Sequence, residues 1–138
     1  MRIAALLPCE AAVQDGRGAH VLVGANMNVR NVESFPAMVQ TNCYILIEDE
    51  DHELAEGAKV VMRVSVAGPD GETQRVGRAE VEIGGTRYPE LPGSMQFALP
   101  VTFEADDQGV YSIQCEVAFP HGVVERSAPF FVRLRDNQ

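Results

Sequence analysis

Apolar and polar residues alternate along much of this chain with a period of two, as in strands that keep one face in a core and the other in water. In residues 110–119, Tyr111, Ile113, Cys115, Val117 and Phe119 fall on one side, with Ser112, Gln114 and Glu116 on the other. Met95, Phe97, Leu99, Val101 and Phe103 repeat the pattern, as do Gly77, Ala79, Val81 and Ile83, and Val60, Met62, Val64 and Val66. Gly68-Pro69-Asp70-Gly71 supplies a turn that folds the last two into a hairpin, and Pro120-His121-Gly122 leads from Phe119 into a strand over 123–134. Pro129 has no donor for a ladder, so it marks an edge, a bulge or a strand boundary.

The first third reads less cleanly. Ile3, Ala5 and Leu7 are expected to face the core from a first strand. The Asp15-Gly16-Arg17-Gly18 turn leads to a second over 20–25, and Cys43, Ile45 and Ile47 form the inward side of a third. Residues 26–40 have no strong period and read as a long connection anchored by Phe35-Pro36, with room for a short helix. Helical periodicity is otherwise missing. The expectation is one all-β domain over residues 1–138, a two-sheet antiparallel β-sandwich of about eight strands with immunoglobulin-like or Greek-key topology. A small barrel would show the same alternation. If eight strands alternate in direction, loops 9–19, 49–58, 84–94 and 120–122 gather at one end and 26–40, 68–72 and 104–109 at the other.

Composition changes the picture mainly by exclusion. At 138 residues the chain suffices for one core that hides roughly two-thirds of the unfolded surface. Twenty Asp and Glu against 11 Lys and Arg give a formal net charge of -9, an average field that repels phosphate backbones and anionic lipids. Arg30, Arg63, Arg75, Arg78, Arg87, Arg126, Arg133 and Arg135 are dispersed, so neither nucleic acid nor a membrane is an expected partner. Pro8 cuts short the apolar stretch after Arg2, which falls below the length of a secretion signal, and no later segment approaches a membrane span. Cys9, Cys43 and Cys115 are odd in number and widely spaced, which fits reduced core thiols of a cytoplasmic protein. On paper a Cys43–Cys115 bridge stays open.

Candidate chemistry is sparse. His20 falls in a strand, His52 in an acidic connection and His121 in a hairpin turn; none has the partners of a general base. Cys9 with His121 comes nearest to a thiol pair, without a third group to orient the base. Glu48-Asp49-Glu50-Asp51-His52-Glu53 lacks the glycine and glutamate of a calcium loop counted from Asp49 and reads as a solvated loop, a weak calcium site being the alternative. Glu104-Ala105-Asp106-Asp107 reads as turn-forming. Zinc spacings are missing, and Gly16-Arg17-Gly18 and Gly84-Gly85 lack the lysine and helix of a phosphate loop. No catalytic residue, metal ligand or cofactor site is expected. Phe131 faces opposite to Phe130, and Tyr44 opposite to Cys43 and Ile45, so each needs an irregularity or a protein partner to cover it.

Asp107-Gln108-Gly109-Val110-Tyr111 resembles the tyrosine corner of immunoglobulin-like sandwiches, although Ile113 stands where that motif has a cysteine and the chain has no tryptophan. The resemblance implies a structural role for Tyr111. More broadly, the strand ending in Cys9-Glu10 and then Ala12, the Asp15-Gly16 turn, Val21-Leu22-Val23-Gly24, Phe35-Pro36, Tyr44-Ile45-Leu46-Ile47, Pro69-Asp70-Gly71 and the closing strand pair resemble a family of small, uncharacterised bacterial β-sandwich proteins. That resemblance implies a sandwich and supplies no catalytic residue, ligand or partner. The expected function is a noncatalytic protein-interaction or structural module, with homodimerisation one of its forms. Alternatives are a small-ligand, carbohydrate or calcium-binding sandwich, where an exposed Tyr88 would stack on sugar. Last comes an enzyme, which would need Cys9, Glu10, His20 or His121 to converge in a deep pocket.

Overall fold

A computed structural model describes residues 1–14, 16, 19–83 and 93–136, whose regular structure is all β. The strands are β1 (Arg2–Cys9), β2 (Ala11–Gln14), β3 (His20–Val23), β4 (Val29–Val32), β5 (Ala37–Asp49), β6 (Lys59–Ala67), β7 (Thr73–Glu82), β8 (Gly93–Ala105), β9 (Gly109–Phe119) and β10 (Gly122–Leu134). They form a three-stranded sheet in the order β1-β5-β8, a five-stranded sheet β4-β10-β9-β6-β7 and a small β2-β3 sheet. The general class is the expected sandwich-like one, whereas about eight strands in two sheets is corrected to ten in three among the described residues. The strands missed, β2 and β4, are four residues each, too short for alternation to show. They lie in the stretches read as loops 9–19 and 26–40, the latter having no helix. All pairs are antiparallel except β4, which runs parallel to the end of β10. Asp15, Arg17, Gly18 and residues 84–92, with Arg87 and Tyr88, lie outside the described residues.

The alternation that announced β6 and β9 fills the core. Val60, Met62, Val64 and Val66 are buried, as are Tyr111, Ile113, Cys115 and Val117. Across the sandwich the Phe103 ring of β8 meets Tyr111 at 5.3 Å and Phe130 edge-on at 5.9 Å, locking the two larger sheets face to face. One register expectation fails. A bulge between Ile3 and Ala5 takes Ala4 out of the ladder, so β1 buries Ile3, Leu6, Pro8 and Cys9 rather than the set 3, 5 and 7.

Open edges are the hazard of such an architecture, and they are met by proline and by side chains that bond backbone. Pro8 lies in edge strand β1 and Pro100 in edge strand β8. Pro129 faces Ser112 of β9 on one side, while β10 gains its β4 neighbour only from Phe131 onward; the unpaired side is where a missing donor does no harm. At one seam the Gln74 amide of β7 donates to the Glu104 carbonyl of β8 at 2.7 Å and accepts from its N–H at 3.0 Å. At the other, Arg126 of β10 donates to the carbonyls of Ile3 and Ala4, both 2.9 Å away, at the bulge of β1. Each seam thus has a side chain standing in for a missing strand.

The turns follow their sequence. Gly71 adopts a φ of 88° and donates to the Gly68 carbonyl at 3.0 Å. The Tyr111 hydroxyl donates to the Asp107 carbonyl at 2.7 Å, the backbone tie that a tyrosine corner makes. Gly109, between them, tolerates no side chain: a Cβ there would stand 2.7 Å from Pro69 Cγ.

Replacing Gln74 with Leu should cost about 1–2 kcal/mol, the two lost hydrogen bonds being partly replaced by water. Urea unfolding checks this, and a variant as stable as the parent would show that the seam does not need the amide.

Candidate functional site

Among the described residues, no hydrogen bond joins the cysteines and histidines singled out for chemistry to one another. Cys9, Cys43 and Cys115 are all buried and free, so the Cys43–Cys115 bridge is not formed. Burial pushes the Cys43 thiol up to about 12, with Cys9 and Cys115 adding to the shift, and burial likewise pushes Cys115 up to about 12. Cys9, raised by burial as well, lies 3.5 Å from the Asn42 carbonyl. His121 is exposed in the β9–β10 turn, and no hydrogen bond joins it to Cys9. His20 packs its ring against Tyr44 at 5.7 Å and leaves its buried Nδ1 without a partner. The Tyr44 hydroxyl bonds Gln96, and burial raises the phenol's pKa. Strand β3 of the chain itself therefore meets Tyr44, the aromatic whose covering the sequence left open.

The acidic run proves to be built around one residue. Asp49 is buried and its carboxylate accepts from the N–H groups of Glu53 at 2.9 Å and Leu54 at 3.1 Å, capping the loop that follows β5. Glu48 pairs with Arg2 at 2.6 Å. In the second cluster Asp107 accepts from the Gln108 N–H at 2.8 Å, the turn-forming role expected. The clusters sit at opposite ends of the β5–β8 ladder, since Asp49 faces Gly93 and Ala37 faces Ala105. Among the described residues no group of three or more His, Cys, Asp or Glu is arranged to hold a metal.

A different surface emerges from the strand registers. The outer face of the five-stranded sheet carries cross-strand rows, each reading from β7 through β6 and β9 to β10. They are Glu80–Val61–Ala118–Val123, then Arg78–Arg63–Glu116–Glu125, then Arg75–Ser65–Gln114–Ser127, then Thr73–Ala67–Ser112–Pro129. Beyond them Val110, Phe131 and Val29 form an apolar row over β9, β10 and β4. Phe131, half-buried, is thus flanked by valines that are 58% and 40% exposed.

The two central rows border a half-open trough of about 910 Å³ that crosses four strands. With strands about 4.8 Å apart it is about 14 Å long. Its β7–β6 end holds three arginines and its β9–β10 end two glutamates, with Arg126 beside them, whose guanidinium is engaged by the carbonyls of Ile3 and Ala4. Arg63 meets Glu116 at 3.5 Å and Arg78 meets Glu80 at 3.1 Å, both exposed pairs of small energetic weight. Arg75 and Glu125, at opposite ends, have no ion-pair partner among the described residues. No single stretch of sequence holds this constellation, because its members come from four strands; only the pairing register assembles it.

No protein-family model and no curated protein matches the chain. Among the described residues no helix is long and apolar enough to cross a membrane.

Stability should fall as pH rises from 9.0 toward about 12, because the unfolded chain gives up its Cys43 and Cys115 protons near the ordinary thiol value while the folded chain holds them. Urea midpoints at about pH 8 and about pH 11, compared with those of a Cys43→Ala/Cys115→Ala chain, measure the part due to these thiols; an undiminished fall in the variant assigns it elsewhere. Asp49→Ala should destabilise by about 2–3 kcal/mol, since it orphans two backbone donors of the loop. Thermal unfolding unchanged from the parent would remove Asp49 from that role.

Proposed function

We propose that this chain is a noncatalytic protein-interaction module that presents the outer face of its five-stranded sheet to a protein partner. The observation that carries the reading is the trough with Arg75 and Glu125 at its two ends, each without an ion-pair partner among the described residues, and apolar side chains in the rows beyond. Exposed ions in a folded protein cost little to leave in water, yet opposite charges held three strand spacings and one row apart, about 16 Å, on one sheet are ready to match a partner's charges and fix its register. A trough half open to solvent suits a macromolecule better than a small ligand, which is usually enclosed on most sides. Its lining contains no aromatic ring for sugar stacking, which favours protein over carbohydrate.

No hydrogen bond joins Cys9, His20 and His121 to one another among the described residues, which favours the noncatalytic reading over an enzyme, because catalysis requires groups to converge. The three free thiols favour a reducing, cytoplasmic setting.

Affinity capture from a cell extract tests the face. Proteins retained by the wild-type chain should be lost from an Arg63→Glu/Arg75→Glu variant and kept by Gln40→Lys, which alters the outer face of the other sheet. A retained set that ignores the first variant would move the function off this face.

A further inference from the structure

We infer that the partner of this face is a second copy of the chain, the two meeting about a twofold axis that runs parallel to the strands between β6 and β9. The inference rests on the interaction reading above and adds the occupant. Such an axis holds every row at its own level while laying β7 on β10 and β6 on β9 of the other copy, so the same contact is made twice.

Charge is the first argument. Within one chain the row Arg78–Arg63–Glu116–Glu125 has one opposed contact, Arg63–Glu116 at 3.5 Å, and otherwise sets arginine beside arginine and glutamate beside glutamate, neighbours that cost stability on a sheet surface. Across the axis Arg78 falls on Glu125 of the other copy and Arg63 on its Glu116, so every charge in the row meets its opposite. The order plus, plus, minus, minus is the one that a twofold axis at its centre makes complementary.

Size is the second argument, and it is independent of charge. In the row Arg75–Ser65–Gln114–Ser127 the axis lays long Arg75 on short Ser127 and short Ser65 on longer Gln114. The trough, shallow in side chains at its Ser127 end, receives the unpaired Arg75 of the other copy. One row over, Thr73 and Ala67 fall on Pro129 and Ser112, all small, and on the far side Val61 falls on Ala118. Val123 meets Glu80, the one mismatch, where the carboxylate already holds Arg78 at 3.1 Å.

Four strands by four rows cover about 500 Å² per copy, or about 1,000 Å² in all, the lower end for a specific interface. The dimer is therefore weak, concentration-dependent and sensitive to salt.

Sedimentation equilibrium of the full chain and of Arg78→Glu and Glu125→Arg tests the arrangement, with circular dichroism confirming that each variant folds. Residues 78 and 125 are three strand spacings apart in one chain, about 14 Å, so neither substitution repairs the other internally. Wild type should dimerise, and each variant alone should associate at least about 10-fold more weakly, because both copies of the contact become repulsive. An equimolar mixture of the two variants should recover to within about 3-fold of wild type, since both contacts in the mixed dimer are again complementary. A wild type that stays monomeric to about 1 mM, variants that associate as wild type does, or a mixture no tighter than its components would each overturn the proposal. Face-dependent capture of other proteins by a monomeric chain would leave the interaction reading standing and sink self-association alone; loss of both would sink both.

Discussion

A sheet edge offers unpaired backbone donors and acceptors to any strand that passes, and everything in this fold depends on how those edges are met. Three strands are laid over five, so the sheets cannot close strand to strand along both seams. Gln74 solves the problem at one side by presenting an amide, the chemical equivalent of a peptide group, to the Glu104 backbone. Arg126 solves it at the other by reaching the Ile3 and Ala4 carbonyls at the β1 bulge. With the seams held by side chains, the Phe103, Tyr111 and Phe130 cluster is positioned between the sheets, and the outer face of the larger sheet is left to water.

That outer face is unusual for its order of charge. An acidic protein of net charge -9 gathers three of its arginines on two neighbouring strands and faces them with glutamates on the next two. A face intended only for solvation gains nothing from segregating its signs, and alternating them would bring more stabilising neighbours. Segregation makes sense when the relevant neighbour belongs to another molecule. The same logic explains why the face is rigid: the residues stand on continuous strands, whose inward neighbours are packed in the core.

Much of the fold was legible in the sequence, because long strands state their period many times. Strands β6 and β9 bury the residues that alternation assigned to the core, Pro129 marks a stretch of β10 paired on one side only, and the turn at 68–71 forms as its glycines require. Short elements left too little pattern: β2 and β4 hold four residues each. The Ala4 bulge reversed the face of what followed, and a period of two gives no warning of a dropped residue. Tyr44 seemed to need a partner, yet β3, a strand far from it in sequence, meets its ring. For the candidate site the difficulty is more basic. Arg63, Arg78, Glu116 and Glu125 are ordinary surface residues one at a time, and their meaning lies in a register between strands that no local window contains.

The parallel pairing of β4 with β10 has a consequence in time. Asn31 and its hydrogen-bonded partner Arg133 are 102 positions apart, so β4 emerges from the ribosome long before the strand that will receive it has been made. Hairpins such as β6–β7 can form as soon as they are synthesised, but the β4 edge of the larger sheet must wait for the far end of β10. Through that interval Val29 and Val32 remain without their native neighbours. The nascent chain therefore exposes an unfinished apolar border until β10 has been made, and the synthesis of that strand determines when the exposure ends.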